Sequence, residues 1–470
     1  MISSKQWHSR VAFTIALAVL YIIWTTYSIE CRTKPTENDD LSPTHETASP
    51  EHLPCRGLPG SDETLIVLRT GATELDDRFA VHLSTSLRCF PNYLIFSDLE
   101  EDYRGEHIID ALADVSPVYQ QNSADFELWR RLRADGRSAL DPSELAGSPD
   151  RFANMGGKAD NPGWKLDKWK FLPMVNRTLH ERSNFKWYVF MEGDSFLLWS
   201  QLQQYLATLD PTDLIYAGSQ MFISGILFAH GGSGFIVSQP AMRRVVDHYS
   251  VHKADIEDFT DGHWAGDCVL GKAFTDAGVP FTNAWPAIQG DYPGLVPYAR
   301  ADGRSVPDES LREWCYPTVS YHHMSPVMTQ QLWSFEQEWI MKHNAVSARK
   351  PDSCETCVLT RRNQTTNMLR HKDVFTDFVM PQMMSPRNDW ENLSDQEEGI
   401  VASVGDCRAH CIAQPDCRQY SLDPDGMCRT RVDPRLGKTG RGFQSGWIED
   451  RIVDFQRGMA PCSSESWPGT

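Results

Sequence analysis

The apolar residues of the first patterned stretch follow two different periods, which together predict a strand, a helix and a second strand. Two short runs rich in β-branched residues, Glu63 to Gly71 and Asn92 to Asp98, are typical of buried strands. Between them, apolar residues recur at helical spacing, at Leu75, Phe79, Leu83 and Leu87. This strand–helix–strand order predicts an α/β fold with a mostly parallel central sheet.

The stretch GWKLDKWKFLPMVNRTLHE has one apolar face and predicts an amphipathic helix. The residues of that face are Leu166, Trp169, Leu172, Val175 and Leu179. Pro173 lies inside the pattern and is expected to kink the helix. The strand KWYVFME follows, and two acids, Glu192 and Asp194, come at its carboxyl end. Ligands of open α/β sheets bind at the carboxyl ends of strands, so these acids mark the expected site.

Further strands are predicted at DLIYAGS (213–219), GILFAH (225–230), GGSGFIVS and TVSYHHM. A helix is predicted from QPAMRRVVDHY, because Pro240 suits a first helical position. The sequence then continues, rich in aromatic residues, to about Lys350.

The beginning of the chain predicts a membrane anchor. Val11 to Ile29 is a 19-residue stretch without a charge, preceded by Lys5 and Arg10, and it is long enough to span most of a bilayer. We expect residues 1–10 to be cytoplasmic, 11–29 to cross the membrane and the rest to be lumenal. A cleaved signal peptide is the alternative. Residues 30–62 are polar and rich in Pro, Ser and Thr, which predicts a disordered stem.

Charge and cysteine content narrow the classes of function. The formal net charge is −18, which argues against nucleic-acid binding. A diphosphate ligand would therefore call for a metal ion. Twelve cysteines and three glycosylation sequons, at Asn176, Asn363 and Asn392, favour the secretory pathway over the cytosol.

Three short motifs carry candidate chemistry. In Glu192-Gly193-Asp194, two carboxylates can turn the same way after a strand and hold Mg²⁺ or Mn²⁺, although a helix cap or surface turn is the commoner use of this spacing. The segment GGSGF, 231–235, suits close approach of a ligand or a β-bulge, and it is not a P-loop. In AGDCVLG, Asp267 is either a general base or a helix cap.

A fourth motif, YHHM, pairs His322 and His323 after a predicted strand. Imidazole is a common metal ligand, and a structural role is the alternative. Only one of the two histidines can face the interior if the strand stays regular.

These motifs, in this order, resemble those of glycosyltransferase family 31, which holds core 1 β-1,3-galactosyltransferases and fringe β-1,3-N-acetylglucosaminyltransferases; the fungal branch is most similar. The resemblance runs from about Glu63 to Ile340. It implies a GT-A fold in which WYVFMEGDSF is the acidic motif, with Asp194 as metal ligand and Glu192 near the ribose or the metal. Many animal members have three consecutive aspartates there, whereas this chain has Glu192 and Gly193 before Asp194.

The resemblance also assigns the other motifs. Gly231, Gly232 and Gly234 would lie at the sugar pocket, Asp267 would be the catalytic base, and His322 or His323 would be a further metal ligand, with His322 favoured. Arg69 and Thr70, at the end of the first predicted strand, are expected to contact the donor.

The activity implied is an inverting transfer, dependent on Mn²⁺ or Mg²⁺, from a UDP-sugar to a glycan or glycoprotein acceptor in β-1,3 linkage. Galactose is the favoured sugar. The alternatives are a fringe-like enzyme that uses UDP-GlcNAc and a catalytically inactive membrane protein that binds glycans. The expected location is the Golgi or another secretory membrane, with one N-terminal anchor.

The end of the chain resembles a PAN/apple module, a small disulfide domain that binds proteins or carbohydrates. The cysteines that carry the resemblance are Cys407, Cys411, Cys417 and Cys428. It implies the pairs Cys407–Cys428 and Cys411–Cys417, with Cys354 or Cys357 joined to Cys462; a zinc site at Cys354-x-x-Cys357 is the alternative. The expected division is a GT-A domain at 63–350, a linker at 351–396 and the module at 397–462.

Overall fold

The computed structural model describes residues 53–146, 161–298, 313–347 and 368–459, together with 462, 467 and 468. All of them belong to one compact unit, Ser49–Thr470. The predicted anchor, Cys354 and Cys357 lie outside the described residues. Residues 53–62, the end of the predicted stem, are described: Leu53 and Cys55 are buried in the core, and Cys55 forms a disulfide with Cys89.

No described helix combines the length and the apolar character needed to span a bilayer.

The centre of the unit is a mixed, mostly parallel eight-stranded sheet. Its strands are β1 (Thr64–Arg69), β2 (Tyr93–Ser97), β3 (Glu101–Tyr103), β4 (Glu106–Asp110), β5 (Trp187–Glu192), β7 (Tyr216–Gly218), β10 (Phe235–Ser238) and β11 (Phe281–Asn283). The spatial order is β11-β7-β10-β5-β1-β2-β4-β3. β1 is parallel to both β2 and β5, as the sequence predicts, whereas β10 is antiparallel to its neighbours.

Two shorter pairs of strands flank this sheet. They are β6 (Phe196–Leu197) with β12 (Ser320–Tyr321), and the hairpin of β8 (Gln220–Ile223) and β9 (Ile226–Ala229). The predicted strands at 213–219 and 225–230 are present in shortened form, as β7 of the central sheet and β9 of this hairpin.

Helices cover both faces of the sheet. They are α1 (Ala80–Ser84), α2 (Pro117–Asn122), α3 (Glu127–Asp135), α4 (Pro162–Glu181), α5 (Trp199–Leu206), α6 (Gln239–Asp261), α7 (Gly266–Asp276) and α8 (Pro326–Ser347). Helix α4 continues through Pro173, where a kink was expected, and Pro240 lies in the first turn of α6 as predicted.

The predicted helix between β1 and β2 is broken into three short pieces. A π-helical turn (Leu75–Phe79) leads into α1, and a 3₁₀ turn (Ser86–Arg88) follows. The break falls at Thr85, whose hydroxyl donates to the carbonyl of Val81 at 2.8 Å and so competes with the helical backbone.

Alternate residues of β1 enter different cores. Ile66 and Leu68 belong to one apolar cluster, and Leu65 and Val67 to another on the opposite face. Burial on both faces explains why this strand is continuously apolar rather than alternating.

The C-terminal part forms a second sheet with five antiparallel strands. They are β13 (Arg387–Glu391), β14 (Gln396–Ile400), β15 (Gln419–Leu422), β16 (Met427–Arg431) and β17 (Lys438–Trp447), accompanied by helices α9 (His371–Val374), α10 (Val404–Ala413) and α11 (Glu449–Arg457). The described part of the predicted linker is therefore built into the fold, because it contains α9 and contributes β13 to this sheet.

The disulfides partly follow the expectation. Cys407–Cys428 and Cys411–Cys417 are both present and confirm the pairing that the resemblance implies. The expected partner of Cys462 was wrong, since Cys462 is bonded to Cys315, for which no motif pointed to a disulfide. Cys268 is buried and unpaired.

Candidate functional site

Most of the predicted site residues converge on one cavity of about 420 Å³ at the carboxyl ends of β1 and β5, but Gly231 and Gly234 do not line it. Arg69 and Glu192 are the last residues of these two parallel strands and lie side by side in the register. Thr70, Asp194, Gly232, Asp267, His322 and His323 also line the cavity. The position agrees with the prediction that the ligand site lies where the strands end.

Arg69 compensates the first acid of the motif. Its buried guanidinium forms ion pairs with Glu192 and with Asp167 of α4, and it lies 4.1 Å from the centre of the Phe171 ring. Burial nevertheless raises the pKa of Glu192 to about 7. With Arg69 already engaged, Glu192 is positioned to orient neighbours and accept hydrogen bonds.

Asp194, the second acid, is buried and meets positive charge on two sides. Its Oδ2 accepts a hydrogen bond from Arg78 at 2.7 Å, and its Oδ1 lies 3.3 Å from Nε2 of His322. Burial alone would raise the pKa of this carboxyl, but Arg78 and His322 hold it well below its usual range. Asp194 is therefore ionised and available as a ligand for a cation.

Both histidines reach the acid motif because the strand ends before them and the backbone then turns. β12 ends at Tyr321, and His323 has a left-handed backbone with φ of 56°. The two rings stack with centroids 3.8 Å apart, and the N–H of Met324 donates to the carbonyl of Asp194 at 2.8 Å. Departure from a regular strand thus lets two neighbours face one site.

The two histidines differ in pKa. Burial would lower that of His322, but the nearby Asp194 raises it above its ordinary value. Burial lowers the pKa of His323 to about 3, which leaves its imidazole neutral.

The cluster of Asp194, His322 and His323 has the composition of a metal site. One ligand atom from each lies within 4.8 Å of the others. His322 Nδ1 is buried without a hydrogen-bond partner, which is costly unless something else satisfies it, and Asp194 Oδ1 has only the ion pair with His322 Nε2. Mixed carboxylate and imidazole ligands fit a divalent cation such as Mn²⁺.

The glycine-rich segment makes room for these groups. A Cβ at Gly232 would overlap the imidazole of His322, and a Cβ at Gly231 would lie 2.9 Å from the Phe171 ring. Gly234 has φ of 83°, which favours glycine. The segment therefore serves close packing around His322 and Phe171.

Asp267 is the second residue of α7 and lies half-buried beside the glycine segment. Its Oδ2 accepts a hydrogen bond from the N–H of Gly231, and its Oδ1 accepts one from the N–H of Cys268, both at 2.9 Å. Burial raises the pKa of this carboxyl. A positioned carboxylate with a raised pKa is suited to take up a proton.

Several charged residues of the cavity were missed from the sequence. They are Glu74, Arg78, Asp167, Lys170 and His230. Lys170 is buried, donates to the carbonyl of Thr70 at 2.9 Å and lies 3.4 Å from Asp98. The sequence carries no signal for Asp167 and Lys170, since charged residues are expected on an amphipathic helix. Arg78 becomes recognisable only when the π-helical turn that contains it is placed beside Asp194.

Comparison with known proteins gives one partial similarity. Over 110 residues the chain is 27% identical to a Beta-1,3-glucosyltransferase of the mouse, Mus musculus. The chain resembles a glycosyltransferase. The matched stretch spans 22% of this chain and 21% of that relative, about a fifth of each. No family model matches the chain.

Proposed function

We propose that this protein transfers a sugar from a nucleotide donor to a glycan or glycoprotein acceptor in β-1,3 linkage, on a GT-A type fold, with a divalent cation as cofactor. The observation that carries the proposal is the meeting, in one cavity, of a candidate cation-binding cluster, Asp194, His322 and His323, with a separate half-buried carboxylate, Asp267. The similarity to a β-1,3-glucosyltransferase supports the same reaction class.

The donor half of the site would be formed by the cluster and its basic neighbours. Asp194 with His322 and His323 would hold Mn²⁺ or Mg²⁺, which when bound supplies positive charge to a diphosphate. Arg69, Arg78 and Lys170 line the same cavity, but each already faces an acid, so the cation would supply the positive charge that a diphosphate needs. Glu192 can accept a hydrogen bond from a ribose hydroxyl, and the hydroxyl of Thr70 can accept or donate one.

Asp267 would act as the general base in a single displacement. It takes the proton from the acceptor hydroxyl, and that oxygen attacks the anomeric carbon of the donor. The bond between that carbon and the diphosphate oxygen breaks, and the nucleoside diphosphate leaves with the electron pair. The configuration inverts, and no covalent enzyme intermediate is needed.

Three donor sugars are candidates, and an assay can distinguish them. Galactose is the sugar favoured by the sequence, with N-acetylglucosamine as the alternative, and the name of the mouse relative adds glucose. The disulfides suit an oxidising compartment, so we place the reaction in the Golgi or another secretory membrane, with 11–29 as the anchor.

The test is a UDP-release assay on the secreted fragment 49–470, with UDP-galactose, UDP-glucose and UDP-GlcNAc, each with Mn²⁺ or with chelator. We expect turnover of one donor that chelator abolishes. Asp267→Asn should lower turnover by about 10²–10⁴-fold while UDP binding remains, because only the base is lost. Asp194→Asn should abolish the Mn²⁺ dependence and turnover together.

Asp276→Asn is the matched control, because Asp276 ends the same helix as Asp267 but is exposed and paired with Lys272. It should leave turnover unchanged. A folded Asp267→Asn protein with normal turnover would remove Asp267 from the mechanism. A wild-type protein that neither binds UDP with Mn²⁺ nor turns over any donor would contradict the proposed function.

A further inference from the structure

Two tryptophans line the cavity yet remain largely uncovered. Trp164 is 41% exposed and Trp264 is 64% exposed, and both border the same space as Asp267. Tryptophan side chains of this size are usually well covered, and exposed aromatic groups beside a cavity with polar residues are typical of ligand contacts. The proposed reaction assigns neither of them a role.

The fold brings the segments that carry these tryptophans together. Trp164 lies in the first turn of α4, one turn before Lys168, and Trp264 lies two residues before Gly266. Gly266 lies so close to the backbone of Lys168 that a Cβ there would stand only 2.6 Å from the Lys168 Cα. The two segments therefore touch at this point, and both tryptophans line the cavity.

The loop before α7 is held in place while its indole stays free. The N–H of Ala265 donates to Nδ1 of His263 at 3.0 Å, and His263 stacks on Phe259 with centroids 5.4 Å apart. The indole of Trp264 is nearly parallel to His263, at an interplanar angle of 8°, but remains exposed. A fixed backbone with an open aromatic face is preorganised for stacking.

The chemistry around these rings fits a sugar. A hexopyranoside has an apolar C–H face that packs on an indole and hydroxyl groups that need acceptors. Carboxylates are near in the fold: Asp267 follows Trp264 by three residues, and Asp167 lies one turn along α4 from Trp164 and is partly exposed. Because the acceptor hydroxyl must reach Asp267, the acceptor sugar is the ligand that we expect to contact these two rings.

We propose that Trp264, assisted by Trp164, forms the platform on which the acceptor hexopyranoside stacks while its hydroxyl faces Asp267. The assignment to an acceptor rests on the proposed function; the binding of a sugar by these rings does not. Because both rings are exposed, their replacement removes ligand contacts without opening the core.

The test compares Trp264→Ala, Trp264→Phe, Trp164→Ala and the control Phe222→Ala, whose side chain is 66% exposed and does not line the cavity. The probes are the methyl β-D-glucopyranoside, β-D-galactopyranoside and α-D-mannopyranoside, first as acceptors and then as ligands in saturation-transfer NMR. UDP affinity with Mn²⁺ is measured by calorimetry on the same proteins, and thermal unfolding checks that each is folded.

We expect Trp264→Ala to raise KM for the accepted glycoside at least tenfold, with UDP affinity within twofold of the wild type. Trp264→Phe should recover part of this loss because it keeps an aromatic face. Trp164→Ala should have a smaller effect, and Phe222→Ala none.

The outcomes separate this proposal from the proposed function. Transfer with an unchanged KM in both tryptophan-to-alanine variants would overturn the platform and leave the function standing. Glycoside binding that is lost in Trp264→Ala, in a protein that neither binds UDP nor turns over donors, would support a sugar platform and contradict the transferase. Loss of UDP affinity with glycoside binding intact would assign the rings to the nucleotide and overturn the proposal, as would absence of glycoside binding in the wild type.

Discussion

At the scale of single residues, the structure explains why position 232 is a glycine, which the sequence pattern alone does not. Three glycines in four residues predicted close approach to a ligand or a β-bulge, and neither explanation distinguished one glycine from another. In the structure the space beside Gly232 is filled by the imidazole of His322. The glycine is therefore required by a proposed metal ligand that is far away in sequence and close in the fold.

Gly232→Ala should displace His322 from Asp194. The added methyl group would overlap the imidazole, so the cluster must open, and we expect Mn²⁺ affinity to fall at least tenfold by isothermal calorimetry with a modest loss of stability. Gly262→Ala is the control, because its Cβ would meet only ordinary contacts at 3.8 Å and beyond. Unchanged Mn²⁺ affinity in a folded Gly232→Ala protein would exclude His322 as a ligand.

At the scale of elements, the sequence was informative where burial alone decides the structure. β1, β2 and β5 follow from continuous apolar runs because each is buried on both faces, and α4 follows from its helical apolar periodicity. The helix between β1 and β2 was not predictable in detail, since Thr85 interrupts it through a local hydrogen bond. That interruption matters, because the same stretch carries Arg78 to Asp194.

The start of α5 shows why some features cannot be seen in a local pattern. Leu198 precedes the helix and has no side chain able to cap it, so the N–H of Ser200 would lack a partner. Glu336 of α8 supplies one: its Oε1 accepts from both the N–H and the hydroxyl of Ser200, each at 2.9 Å. The cap comes from 136 residues away, beyond the reach of capping rules that use neighbouring residues.

Glu336 should make stability depend on pH near neutrality. Burial raises its pKa from 4.5 to about 7, so the folded protein favours the protonated form. The resulting stabilisation is complete below the unfolded pKa and is lost as the pH rises through about 7. Glu336→Gln keeps an oxygen acceptor without the charge, so we expect its stability advantage over the wild type to grow between about pH 4.5 and pH 7 and then to level off at about 3 kcal/mol.

The measurement is denaturant unfolding of both proteins at pH 5, 6, 7 and 8.5. Other titrating groups are common to the two chains and cancel in the difference. A difference in unfolding free energy that stays constant across this range would mean that Glu336 does not titrate there.

At the scale of the whole molecule, the C-terminal part shares its core with the part that carries the site. Leu436, Trp447 and Ile452 belong to the same apolar cluster as Phe196 and Tyr321, which come from β6 and β12. The disulfide Cys315–Cys462 spans 147 residues, and the ring of Trp467 packs 5.3 Å from that of Tyr205 in α5. The sequence suggested a linker before a separate module, because cysteine spacing indicates only local pairing. It does not reveal that residues before and after the junction pack into one apolar core.

A shared core predicts that damage in the second sheet destabilises the first. Trp447 is buried at the end of β17 and donates its indole N–H to the carbonyl of Arg435 at 2.9 Å. Trp447→Ala should cost about 3–5 kcal/mol, the usual range for removing a large buried aromatic side chain. Because the core is continuous, amides of β1 and β5 should also exchange faster with deuterium, in proportion to the loss of global stability.

Ile400→Ala is the control, since Ile400 lies in the same sheet but is 68% exposed, and it should change stability by no more than about 0.5 kcal/mol. Calorimetry should show one transition that moves as a whole in Trp447→Ala. Two separate transitions, with exchange in β1 and β5 unaffected, would instead show that the C-terminal sheet folds independently. In that case it could be removed without loss of the candidate site, whereas a shared core requires the whole of 49–470 for any assay of the cavity.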